Sequence, residues 1–125
     1  MSSEKKHSNQ MKIYGIPNCN TVKKARTWLD EHGIAYEFHD FKKQGIDQAT
    51  INTWLSQKPW DKLVNRAGMT WRDLSDTEKA AVRDEVSACR LMIEKTSVIK
   101  RPVLVKNDSI VALGFDEATY QTLIK

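Results

Sequence analysis

Only two of the 125 residues are cysteine, Cys19 and Cys89. Their wide separation fits a reduced compartment better than a disulfide scaffold. No apolar run approaches the roughly 18 residues that a membrane span needs. The five glycines are dispersed, so no glycine-rich phosphate loop is present. The three histidines, His7, His32 and His39, show no metal-ligand spacing, and no metal site is expected. Charge of one sign is never concentrated: twenty basic residues are interleaved with sixteen acidic ones for a net charge of +4, which describes a solvated surface rather than a nucleic-acid footprint. There is no internal repeat and no low-complexity segment. Met1 to Gln10 is polar, without the apolar centre of a secretory signal, and reads as a mobile tail on a cytoplasmic protein.

What is present suffices for one compact domain with a real core. Met11 to Ile16 reads as a strand that Pro17-Asn18 interrupts. From Asn20 to His32 the apolar positions Val22, Ala25, Trp28 and Leu29 recur at three- and four-residue spacing, the mark of an amphipathic helix, and Gly33 supplies its stop. Ile34 to Phe41 contains the alternation of a strand with one buried face. The middle of the chain is rich in helix formers. Asp47 can cap a helix through Gln57, Leu63-Val64-Asn65-Arg66 makes a short turn or helix, and Ser75-Asp76-Thr77-Glu78 has the capping-box pattern. Ser87 to Lys95 forms a further helix with Ala88, Leu91 and Met92 on its apolar side. Trp28, Trp54, Trp60 and Trp71 are assigned to packing. Val103 to Lys106 and Ser109 to Leu113 then form a hairpin around Asn107-Asp108, and Asp116 caps a closing helix with apolar positions at Ala118, Tyr120, Leu123 and Ile124. The order is βαβ, helices, ββα.

Chemistry concentrates at Pro17-Asn18-Cys19-Asn20-Thr21. The first-turn N–H groups of a helix have no internal partner and carry partial positive charge, so a thiol placed there is biased toward thiolate. Lys23 and Lys24 add to that bias. A cysteine can also be a small buried hydrophobe without function, but this position between turn and helix argues for reactivity. Asn18 and Asn20 either hydrogen-bond near the thiol or serve the turn, with Asn20 or Thr21 as the helix cap. Val22 stands where a local C-x-x-C pair would have its second thiol, so a redox cycle on Cys19 needs an external thiol, and glutathione is the natural candidate. Cys89 is either a resolving thiol or packing.

Tyr14-Gly15-Ile16-Pro17-Asn18-Cys19-Asn20-Thr21-Val22-Lys23-Lys24-Ala25, together with Ile99-Lys100-Arg101-Pro102-Val103-Leu104, resembles the ArsC-like proteins, most closely their YffB-type branch, over essentially all of Met11 to Lys125. The resemblance implies an α/β thioredoxin-like fold with a mixed sheet, formed by residues 11–43 and 96–125 and interrupted by a helical insertion over residues 44–95. It implies Cys19 as the reactive thiol, Arg101 and Arg66 as oxyanion-binding arginines, and Pro102 as the thioredoxin-type proline, which carries a cis peptide bond in such folds. Asn18, Asn20, Thr21, Lys23 and Pro102 would then line the binding site for substrate or glutathione. In the arsenate reductases of this family, glutathione and glutaredoxin complete the reduction. A third family arginine has no counterpart near the end of the hairpin, where Ala112-Leu113-Gly114-Phe115 stands, which argues against arsenate and for a glutathione-dependent thiol reductase. The Spx-type relatives are instead regulators that bind RNA polymerase, generally through a C-x-x-C switch that Val22 removes here.

Overall fold

A computed structural model of the chain describes residues Gln10 to Ile124. Apart from Gln10, the expected tail lies outside them. Gln10 itself is tied down: its N–H donates to Asn107 Oδ1 at 3.2 Å, and its carbonyl accepts from the Asn107 N–H at 3.0 Å. The described residues fall into two compact units, one formed by the chain up to Asp40 and again from Arg101, the other by Phe41–Lys100.

The first unit holds a four-stranded mixed sheet in the order β2-β1-β3-β4. Its strands are β1 (Met11–Gly15), β2 (Glu37–Asp40), β3 (Val103–Lys106) and β4 (Ser109–Leu113). β1 runs parallel to β2, with Ile13 opposite Phe38, and antiparallel to β3, with Ile13 opposite Leu104. The first helix, α1 (Asn20–Glu31), buries Val22, Ala25, Trp28 and Leu29, the stripe its periodicity predicts. Alternate residues of β1, Met11 and Ile13, meet Ala25, Trp28 and Leu29 in one core with Leu104, Ala112 and Tyr120. Gly33 ends α1 at φ +68°, a left-handed conformation that costs glycine nothing. The β3–β4 turn places Asn107 and Asp108 at φ +51° and +71°, as a tight primed turn requires. The closing helix α8 (Glu117–Gln121) starts after Asp116 and buries Tyr120. Ala118, expected on its apolar side, is exposed because the helix is only a little over one turn long and lays a single large residue on the sheet.

The second unit is helical: α2 (Phe41–Gln44), α3 (Gln48–Leu55), α4 (Trp60–Leu63), α5 (Met69–Arg72), α6 (Asp76–Ala81) and α7 (Glu85–Glu94). Side chains close three of the starts. Asp47 accepts from the Thr50 N–H, Ser75 and Glu78 form the expected capping box, and Asp84 with Ser87 forms a second one. That second box moves the start of α7 to Glu85, two residues before Ser87. Its buried side is Ala88, Cys89, Leu91 and Met92. The expected strand over Ile34–Phe41 contracts at both ends to β2: the Ile34 N–H is taken by the Leu29 carbonyl at 2.9 Å in the stop of α1, so pairing begins only at Glu37, and Phe41 already opens α2. Of the four tryptophans, Trp28 and Trp54 are buried, whereas Trp60 and Trp71 are half-buried on one-turn helices too short to cover them. None of the described helices is long and apolar enough to cross a membrane.

Candidate functional site

Cys19 is the N-cap of α1, with extended backbone at φ −128° and ψ +122°. Asn20 and Thr21, read as capping residues, are instead the first two helical residues, because the turn at Pro17-Asn18 is completed one position earlier than the polar side chains suggested. The strand end and the helix start are drawn together at Gly15. A Cβ there would lie 2.7 Å from Cγ2 of Val22, so only glycine admits this approach.

The half-buried thiol is held below its ordinary pKa. Burial alone would raise it, since desolvation penalises the charged form. Four influences outweigh that: the Val22 N–H, a hydrogen bond donated by the Arg101 side chain, the Arg101 charge, and the Thr21 N–H. The sulfur does not make a cap hydrogen bond of standard geometry, so the two N–H groups act chiefly as aligned dipoles at the helix start. Lys23 and Lys24 are not among the influences on the thiol; both side chains are exposed, where solvent screens them. The counter-charge is Arg101, more than eighty residues away in sequence.

The Arg101–Pro102 peptide bond is cis, and the Pro102 carbonyl accepts a hydrogen bond from the Gly114 N–H at 2.8 Å. Gly114, at φ +78°, is thus built into the backbone beside Arg101, at the place where the resemblance would have put a third arginine. Asn18, Asn20, Thr21 and Lys23 are exposed around the thiol, and of these Thr21 reaches it through backbone. Arg66 lies in the helical unit, where its guanidinium sits 3.8 Å from the Asp61 carboxylate and 5.6 Å from the centre of the Trp60 ring. Cys89 is buried in the same unit, and burial, only partly offset by the Arg90 charge, pushes its thiol up rather than down. Of the two cysteines, Cys19 alone has the environment of a nucleophile.

A sequence profile of the ArsC family matches residues 14–123. The chain belongs to the ArsC family. Among solved structures it is similar to the YFFB protein, at 43% identity over 93% of this chain and 100% of the other, with a TM-score of 0.86. It is also similar to an arsenate reductase (ArsC) related protein from Brucella melitensis, at 46% identity over 93% and 95% of the two chains, with a TM-score of 0.73. An uncharacterised Haemophilus influenzae protein is 38% identical over 87% of this chain and 94% of its own length. Global transcriptional regulators named Spx are among the more distant relatives. The α/β architecture is accordingly the thioredoxin-like fold of the ArsC family, in its YffB and Spx branch.

Proposed function

We propose that this chain is a thiol oxidoreductase acting through one nucleophilic cysteine, Cys19, with glutathione as its reductant. The observation that carries this reading is the Cys19 thiol, held low by two helix-start N–H groups and the Arg101 guanidinium. A thiolate so placed is nucleophilic at neutral pH and keeps a cationic partner for the charge that develops on sulfur. On a disulfide substrate, Sγ of Cys19 attacks one sulfur, the substrate S–S bond breaks, and the other half leaves as a thiolate that takes a proton from solvent. One glutathione thiolate then displaces the remaining substrate thiol from Cys19, and a second releases Cys19 and departs as oxidised glutathione. The substrate gains two electrons and two glutathiones lose them. Glutaredoxin can take the second release. Val22 makes the external thiol necessary: its side chain is fully buried, so no local resolving thiol stands there.

Arsenate reduction is a narrower reading that the backbone around Gly114 disfavours, since no arginine side chain stands at that end of the hairpin. The test is alkylation by iodoacetamide across pH with the product mapped by mass. Cys19 is expected to react faster than a free thiol at neutral pH and Cys89 more slowly. Equal rates for Cys19 and a free thiol would sink the enzymatic reading. A stoichiometric RNA polymerase complex from lysate, unchanged by Cys19→Ser, would instead favour the regulatory role of the Spx relatives.

A further inference from the structure

Arg101 reaches the thiol from a backbone that is held on both sides. Before it, the Lys100 N–H donates to the Leu63 carbonyl at 2.7 Å, and Ile99 forms an antiparallel bridge with Val64. After it, the Pro102 carbonyl accepts from the Gly114 N–H at 2.8 Å, one step beyond the pairing of Val103 with Leu113. Proline has no N–H to donate, so that single bond is the whole backbone tie that Pro102 and Gly114 can make with each other. The other paired positions of the hairpin lie farther from Arg101.

Gly114 has the conformation this tie needs. It is buried, and its φ of +78° turns the chain out of β4 directly after its N–H has met Pro102. Glycine takes that φ freely, most side chains are strained there, and Asn is among the few that tolerate it. We infer that Gly114 is a positioning residue of the thiol site: through the Pro102 carbonyl its N–H keeps Arg101 aimed at Sγ of Cys19. The inference rests on the thiolate reading above and adds the element that holds the counter-charge in place. Aim matters because the Arg101 side chain donates a hydrogen bond to sulfur as well as lending its charge, and a hydrogen bond is lost over displacements that a charge interaction survives. Arg101 is also the charged side chain acting on the thiol, beside two backbone N–H groups. A glycine thus stands where the resemblance puts a third arginine because the position works through its backbone, at a φ where an arginine would be strained.

The test is the pH profile of Cys19 alkylation by iodoacetamide, mapped by mass in the native protein, Gly114→Ala, Arg101→Ala and the double variant, with the urea midpoint of each measured alongside. Gly114→Ala is expected to raise the midpoint of the profile and to slow alkylation at pH 6.5 about two- to fivefold, less than Arg101→Ala does, because the guanidinium is displaced rather than removed. In the double variant the slowing is expected to equal that of Arg101→Ala alone, since a residue that acts through Arg101 then has nothing left to move. Gly114→Asn is expected to recover most of the native profile. Replacing the Leu113–Gly114 amide by an ester removes only the N–H that holds Pro102, and the same slowing is expected from it should Gly114→Ala fail to fold. A profile unchanged by Gly114→Ala and by the ester, in protein that still responds to Arg101→Ala, overturns the positioning role and leaves the thiolate reading standing. Equal slowing by Gly114→Ala with and without Arg101 overturns it too, because the effect would then lie on α1. If Arg101→Ala also leaves the profile unchanged, both readings fall.

Discussion

At the scale of single residues, Cys19 shows how opposed effects on one thiol are decided by geometry. Its burial works against the thiolate, and a buried thiol with only a nearby exposed arginine stays protonated, as Cys89 does. What reverses the sign at Cys19 is the coincidence of a helix start and an arginine donating directly to sulfur. Arg101→Ala should therefore raise the thiol pKa and slow iodoacetamide alkylation at pH 7 several-fold. Arg101→Lys should restore part of the charge effect without the planar donor fork. The same shift has a stability signature. The folded pKa of Cys19 is below its unfolded value of about 8.5, so the associated stabilisation is complete above the unfolded value and is lost as pH falls through the folded one. The urea midpoint of the native protein relative to Cys19→Ser should thus rise with pH between those two values and stay flat below the folded one. A relative midpoint that falls with pH would contradict the assignment.

At the scale of elements, the reactive thiol depends on how closely β1 can end against α1. The Val22 N–H faces the thiol because Gly15 lets the strand end come down on the Val22 side chain. Val22 is fully buried and β-branched, so it cannot swing away from an added methyl. Gly15→Ala should cost about 1–3 kcal/mol in urea unfolding, as overpacking does, and should raise the thiol pKa in the fraction that folds. An unchanged midpoint would show that α1 shifts freely. Much of this element pattern was legible in the sequence. Val22, Ala25, Trp28 and Leu29 announce α1, Gly33 its end, Ser75 with Glu78 the start of α6, and Asn107-Asp108 the hairpin. The helix over Met69–Arg72 escaped because a single turn is too short to show a period. The start of α7 escaped because its box pairs Asp84 with a serine at the third position instead of the usual Glu or Gln. The thiol was legible from its place at a helix start. Its electrostatic partner was legible only through resemblance, since no local pattern joins Cys19 to Arg101.

At the scale of the whole molecule, the unit that carries the thiol is discontinuous in sequence. β1 must pair with β3, Ile13 against Leu104, across the residues Phe41–Lys100 that form the other unit. Closing so long a connection costs entropy before any sheet contact repays it, and this places the Cys19–Arg101 pair among the non-local features of folding. The acidic thiol is therefore a reporter of β1–β3 pairing: separate the strands and Arg101 leaves the sulfur. Leu104 is fully buried in the shared core of that pair, and Leu104→Ala should cost about 2–5 kcal/mol. With urea as the variable, two observables can be followed in one titration, alkylation of Cys19 at pH 6.5 and hydrogen exchange of the β1 and β3 amides. Both should change at the same urea concentration in the native protein, and both should move together to lower urea in Leu104→Ala. If the thiol kept its low pKa after the strand amides had exchanged, the helix start alone would be holding it, and Arg101 would not be its essential partner.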